Sequence, residues 1–147
     1  MLTNQVGTFY YMSPEVADTT ELQHENATAI DIYSFGIIMW QLLFQFSDPY
    51  MNTDKFCLKK LRVTNAPDYK SIFQLCRYIA EGLRPAIPFH TIQECTEWCE
   101  EYIPELSEAQ VRILFDMVDL LQQCWAHNPN QRPTIQFILL KLNSWEK

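Results

Sequence analysis

Between Ala29 and Phe46 the chain reads AIDIYSFGIIMWQLLFQF, and bulky apolar side chains fall on nearly every side of a helical projection. A helix that is apolar all round has to be enclosed by protein or by lipid. Ile32 to Phe46 is about 15 residues, roughly 22 Å of helix, whereas a hydrocarbon core of about 30 Å asks for nearer 20 residues. Enclosure by protein is therefore expected, with no membrane span. Asp31 at the start of the stretch, and Ser34 and Gly36 in its first turns, are also foreign to a plain membrane helix.

Such a helix needs a sizeable core around it. The 147 residues are 48% hydrophobic and 14% aromatic, enough for one compact domain and not for two. A net charge of −7 and an isoelectric point near 4.8 argue against a nucleic-acid backbone or an anionic membrane surface as main partner, since both reward a basic face. Recognition of a basic peptide stays open. Cys57, Cys76, Cys95, Cys99 and Cys124 form an odd set, and MLTNQVGTFYY has neither the cationic nor the apolar region of a signal sequence. Reduced thiols and a cytoplasmic location are the expectation. Only three glycines occur, none in an Asn-Gly or Asp-Gly hairpin signal, so the chain should be mainly helical.

Thr3 to Met12 lacks helical periodicity and reads as extended or looped. Ser13 and Pro14 can open a short turn of helix, with Glu15 near its positive end. Thr19 to Thr28 is polar and should be a surface loop, with Thr28 capping the central helix. After Phe46, the run from Ser47 to Ser71 carries turn formers and five of the eleven basic residues, and reads as an exposed connection. Ile72 to Glu81 suggests a short amphipathic helix, with Phe73, Cys76 and Ile79 among its apolar positions and Gly82 ending it. Leu83 to Pro88 is stiffened by two prolines. Thr91 to Tyr102 is an acidic helix with Cys95, Cys99 and Tyr102 on one side, ended by Pro104. Ser107 and Gln110 form a capping-box pattern ahead of Val111, Leu114, Phe115, Val118, Leu121 and Cys124, spaced by three and four. Thr134 can cap a last helix whose inner face would carry Ile135, Ile138, Leu139, Leu142 and Trp145.

Four short motifs on this frame resemble, in order, the C-terminal lobe of a eukaryotic protein kinase. Gly7-Thr8-Phe9-Tyr10-Tyr11-Met12-Ser13-Pro14-Glu15 is similar to the family's G-T-x-x-Y-M-[AS]-P-E, and Asp31 to Gly36 to D-x-[YFW]-S-x-G. Gly82 to Pro88 resembles the G-x-R-P-x-[IL]-P of tyrosine-kinase-like and tyrosine kinases. Cys124-Trp125 with Asn128-Pro129 and Gln131 to Thr134 resembles their C-W-x-x-x-P-x-x-R-P-[ST]. The resemblance spans residues 1–147 as a partial kinase domain, from the end of the activation segment to the last helix. Two connections, about Met51 to Tyr69 and Phe89 to Leu106, look longer than the family's.

The resemblance implies a parent serine/threonine kinase that uses ATP and Mg²⁺ on protein substrates and answers to regulatory proteins. It implies that Thr8 helps hold the acceptor hydroxyl, that Gly7 and Phe9 to Tyr11 shape the neighbouring pocket, and that Asp31 accepts hydrogen bonds from the catalytic-loop backbone. It also implies that Glu15 and Arg132 meet as a buried bidentate pair. A helix-capping role for Asp31 and an unpaired surface role for Glu15 and Arg132 are the plainer alternatives. Six residues precede Gly7, so no G-x-G-x-x-G, V-A-I-K-like lysine, H-R-D or D-F-G lies before it in this chain. The N-terminal lobe and catalytic loop are thus expected to be absent, and with them ATP binding, metal binding and activity of this chain alone. A non-catalytic, pseudokinase-like interaction module or a gene fragment is the competing reading.

Other chemistry is thinly supported. His90, Cys95 and Cys99 suggest metal ligands without an evident fourth. His24 and His127 have no convincing nucleophile beside them. Asp116, Asp119 and the acidic run Glu94 to Glu105 read as solvated faces.

Overall fold

The computed structural model describes residues 9–18, 27–50 and 55–146, and among these there is no strand. The helices are α1 (Pro14–Ala17), α2 (Ala27–Phe44), α3 (Lys55–Lys60), α4 (Ile72–Ala80), α5 (Ile92–Tyr102), α6 (Glu108–Cys124) and α7 (Ile135–Ser144), with a 3₁₀ turn at Pro129–Gln131 between the last two.

Local chemistry sets most of these boundaries. Ser71, Thr91 and Thr134 each accept a hydrogen bond from the backbone N–H three residues on, at 3.1–3.2 Å, and so cap α4, α5 and α7. At α6 the capping box is complete: Ser107 Oγ accepts from Gln110 N at 3.2 Å, and Gln110 Oε1 accepts from Ser107 N at 2.9 Å. Helix α4 ends on Gly82 at φ +115°, where Leu83 N–H bonds the Tyr78 carbonyl and Gly82 N–H bonds that of Ile79, the two closures of a Schellman turn. Ser13 departs from expectation: it is extended and precedes Pro14, but its side chain makes no cap hydrogen bond. Its carbonyl instead takes the N–H groups of Val16 and Ala17.

The central helix begins at Ala27, so Thr28 lies inside its first turn rather than capping it. It stops at Phe44, where Gln45 turns the chain at φ 60°, and Phe46 folds back with its ring 6.4 Å from that of Trp40. Its 18 residues, roughly 27 Å, make it long and apolar enough to cross a membrane, so the length argument from sequence does not hold. Its surroundings are nonetheless protein on one side. Tyr33, Ile37, Trp40 and Phe44 are at most 1% exposed, and Trp40 Nε1 donates to the Ala86 carbonyl at 2.7 Å. Enclosure is incomplete on the other side, where Asp31, Ile38 and Leu42, spaced by seven and four, line an exposed stripe.

Helices α2 and α6 form the main packed pair and touch almost backbone to backbone at Gly36. A Cβ there would lie 2.9 Å from Cys124 Cβ and 3.0 Å from the Leu121 carbonyl oxygen. The two long connections extend this core. The first is not merely an exposed connection: it contains α3, which buries Cys57, and Leu61 just beyond it is 1% exposed. The second brings Phe89, Cys95, Trp98 and Cys99 inward, and Trp98 packs against Phe44, Phe89 and Tyr102 with ring centroids 5.3–5.6 Å apart. The connections also join each other. Trp98 Nε1 donates to the Lys60 carbonyl at 2.7 Å, and the Lys60 ammonium sits 5.4–5.8 Å from the ring centroids of Phe46, Trp98 and Tyr102.

A smaller core of Ala17, Tyr50, Leu75 and Ile79 seats α1 on α4. Phe73 is not part of it, being 87% exposed, because α4 directs Leu75 and Ile79 inward instead. Helix α7 likewise buries only Ile138 fully among its residues, leaving Ile135 and Leu139 exposed and Leu142 partly buried.

The close approach at Gly36 leads to a definite expectation. Gly36→Ala should destabilise the full-length protein by about 1–3 kcal/mol, the range of core overpacking, with urea denaturation as the measurement. Unchanged stability would mean that α2 and α6 do not approach as described.

Candidate functional site

The 3₁₀ turn after α6 is held by Asn128, whose Oδ1 accepts from Asn130 N at 2.9 Å, and it delivers Arg132 into the protein with its side chain fully buried. Arg132 Nη1 and Nη2 meet Glu15 Oε2 and Oε1 at 2.7 and 2.8 Å, a two-pronged pairing across 117 residues of sequence. The remaining donor directions end on carbonyls: Nε on Ala126 at 2.9 Å, Nη1 also on Ala29 at 2.9 Å, and Nη2 also on His127 at 3.5 Å. One guanidinium thus ties α1, the start of α2 and the turn after α6 together. Burial pushes the Glu15 carboxyl up, but the hydrogen bonds and charge of Arg132 outweigh it and hold the group below its ordinary value.

A second guanidinium lies nearby. Arg84 donates to the carbonyls of Trp125 at 2.9 Å and Leu83 at 2.8 Å, and both Arg84 and Arg132 sit 5.1 Å from the buried Tyr33 ring centroid. The Tyr33 and Tyr50 hydroxyls are buried, neither in a well-formed hydrogen bond, and burial raises both above the ordinary phenol value.

The turn from Phe9 to Met12 is fastened to this assembly. Met12 N–H bonds the Phe9 carbonyl at 3.3 Å, and the Tyr11 carbonyl accepts from Ser34 Oγ at 2.9 Å. Tyr11 OH donates to Gln41 Oε1 at 2.9 Å, and Gln41 Nε2 in turn donates to the Ser47 carbonyl at 2.6 Å. Tyr10 packs its ring 6.3 Å from that of Tyr50, and burial followed by the Asp48 charge pushes its hydroxyl up to about 12. Met12 Sδ lies 4.0 Å from Cys76 Sγ on α4. The turn therefore bridges α2 and α4.

Of the residues singled out from sequence, Phe9, Tyr10, Tyr11, Glu15 and Arg132 come together here. Gly7 and Thr8 lie outside the described residues. Asp31 stands apart on the exposed stripe of α2, its side chain in no hydrogen bond with any described residue. His90 is exposed while Cys95 and Cys99 are buried, and no group of three or more metal-ligating side chains occurs among the described residues. Burial, reinforced by Cys99, pushes the Cys95 thiol up to about 12, as suits a packed core thiol. Sequence reasoning missed Ser34, Gln41 and Tyr33, and gave Arg84 no role, although Tyr33, Ser34 and Arg84 stand inside quoted motifs.

Residues 1–142 match the family model of the protein kinase domain, and the chain belongs to that family. It is 30% identical over 145 residues to a protein kinase and PP2C-like domain-containing protein of Arabidopsis thaliana, covering 98% of this chain and 18% of that protein. It is 29% identical over 142 residues to a putative serine/threonine-protein kinase/receptor of Acanthamoeba polyphaga mimivirus, covering 96% of this chain and 6% of that one. A dual specificity protein kinase of Dictyostelium discoideum is 30% identical over 138 residues, 93% of this chain and 13% of the relative. The chain thus spans less than a fifth of the length of each of these relatives.

Breaking the pair should be costly from either side, though unequally. Glu15→Ala strands a wholly buried guanidinium that cannot shed its charge, and should cost about 3–5 kcal/mol in chemical denaturation of the full-length protein. Arg132→Ala should also lower stability sharply, through the lost carbonyl contacts; unchanged melting of both variants would sink the pairing. The pH dependence follows from the sign of the shift. Because the folded Glu15 value is lowered, its stabilisation is complete above about 4.5 and is lost as pH falls through the lower folded value. Melting temperature measured across that acid range should fall less steeply in Glu15→Gln than in the unaltered protein.

Proposed function

We propose that this chain is the C-terminal part of an ATP-dependent protein serine/threonine kinase, providing the substrate-positioning segment and the helical scaffold beneath it. The observation that carries this reading is the Glu15–Arg132 pair, which ties α1, directly after the turn from Phe9 to Met12, to the start of α2 and the turn beyond α6. Thr8 holds the acceptor hydroxyl, and Gly7 with Phe9, Tyr10 and Tyr11 shapes the pocket for the residue after it. Serine or threonine is the acceptor, as the Gly7-Thr8 pair suggests. Asp31 braces the catalytic loop, a role supported by its exposure in line with the apolar Ile38 and Leu42.

ATP and Mg²⁺ serve the parent kinase, where the metal neutralises charge on the transferred phosphoryl group. This chain alone, whose sequence carries no G-x-G-x-x-G, H-R-D or D-F-G motif, binds neither and transfers nothing. Helix α2 belongs inside the protein rather than in a membrane, and five cysteines outside any disulfide suit a cytoplasmic setting. A non-catalytic interaction module is the second reading, favoured by the joining of the two long connections into an added layer through Trp98 and Lys60.

Radiolabelled ATP with Mg²⁺ and a mixed protein substrate separates the two. The full-length protein should place label on serine and threonine, whereas the 147-residue chain alone should place none. Asp31→Asn in the full-length protein should slow transfer on the order of 10²-fold, as expected when a positioned group is displaced. Absence of transfer by the full-length protein would favour the interaction module, and label on tyrosine alone would overturn the acceptor assignment.

A further inference from the structure

Where α5 runs into α6, a groove of about 320 Å³ opens between the two helices. Its floor is apolar, made by Cys99, Ile103, Leu106 and Val111, and its rim carries one carboxylate from each helix, Glu100 and Glu108. Both glutamates are exposed and neither forms an ion pair among the described residues. No lysine or arginine occurs between Arg84 and Arg112, while Glu94, Glu97, Glu100, Glu101, Glu105 and Glu108 fall in that interval. Of these, Glu101 has a cation nearby, Arg62 at 3.8 Å. The groove thus couples an apolar slot to a negative field that is offset only in part, by Arg62 beside Glu101 and by Arg112 one turn beyond Glu108 on α6.

We propose that this groove is a docking site for a linear protein segment in which a bulky aliphatic side chain is flanked by arginine or lysine. The aliphatic group fills the slot between Ile103 and Val111, and the flanking cations reach Glu100 and Glu108, where an arginine can form a two-pronged pair with a carboxylate. The surrounding carboxylates raise the encounter rate for a basic segment and repel nucleic acid and anionic lipid. A metal ion is disfavoured as occupant, since no group of three or more metal-ligating side chains forms among the described residues. The groove also lies at the far end of α6 from the turn that carries Arg132. Glu108 to Cys124 spans about 24 Å of helix, so a segment seated here leaves the Glu15–Arg132 clamp uncovered. The site therefore recruits a partner without competing for the turn from Phe9 to Met12, and it does not depend on the kinase reading.

The test uses the full-length protein and a short fluorescein-labelled peptide with a Leu-Leu pair flanked on each side by two arginines, followed by fluorescence anisotropy. Two comparison peptides replace the leucines by glycine or the arginines by glutamate. Glu100→Lys with Glu108→Lys reverses the rim charge, and Thr96→Trp, at an exposed position on the groove wall, fills the slot without altering charge. Each variant and each comparison peptide should raise the dissociation constant by at least about tenfold. Methyl resonances of Ile103, Leu106 and Val111 should shift on titration. Equal binding of the glycine peptide, or binding unaffected by Thr96→Trp, would reduce the attraction to a diffuse acidic surface and overturn the proposal. No measurable binding by the unaltered protein would overturn it too. Concentration-dependent pairing of the protein that Thr96→Trp abolishes would assign the groove to a second copy instead.

Discussion

A guanidinium stays charged at any pH a fold survives, so a wholly buried Arg132 obliges the rest of the protein to surround it with acceptors. Three segments comply: α1 supplies Glu15, the start of α2 supplies the Ala29 carbonyl, and the connection after α6 supplies the carbonyls of Ala126 and His127. None of these acceptors can move away without leaving charge unpaired in a poorly solvated place. The stacking of Arg132 and Arg84 on Tyr33 then fixes α2 beneath them. A single residue therefore ties α1, the central helix and the C-terminal segment to one another.

Much of this was legible from the chain, but by two different routes. Helices α4 and α6 follow from local chemistry alone, through Gly82 and through the Ser107–Gln110 capping box with its three-and-four spacing. The Glu15–Arg132 pair is different, since no periodicity links residues 117 apart and only the resemblance to a family motif could join them. Ser34, Gln41 and Arg84 escaped because their partners include backbone carbonyls, which every residue carries and which leave no trace in sequence. Helix α3 escaped because its six residues are too few to display a period. The full enclosure expected of the central helix was only half right, because composition reports that a face is apolar and not whether anything described here covers it. Phe73 and Leu139 show the same limit on α4 and α7.

The two long connections change the architecture more than their composition suggests. Rich in charge and turn formers, they would be surface excursions if each stood alone. Trp98 converts them into one layer by packing on Phe44 and Phe89 from the second connection while its indole N–H holds the Lys60 carbonyl of the first. That extends the apolar core past the end of α2 and builds the wall on which the acidic rim of α5 is displayed.

Lys60 gives that layer an unusual response to its solvent. The two connections meet at two charged seams, the ammonium among Phe46, Trp98 and Tyr102, and the long contact between Arg62 and Glu101 at 3.8 Å. The second seam is well exposed and weakens as added ions shorten the Debye length. In the first, the negative pole is the face of a ring and not an ion, and the aromatic walls limit access of counterions to it. Rising ionic strength would accordingly loosen one edge of the layer and spare the other, so that the added layer would hinge about Lys60 rather than detach.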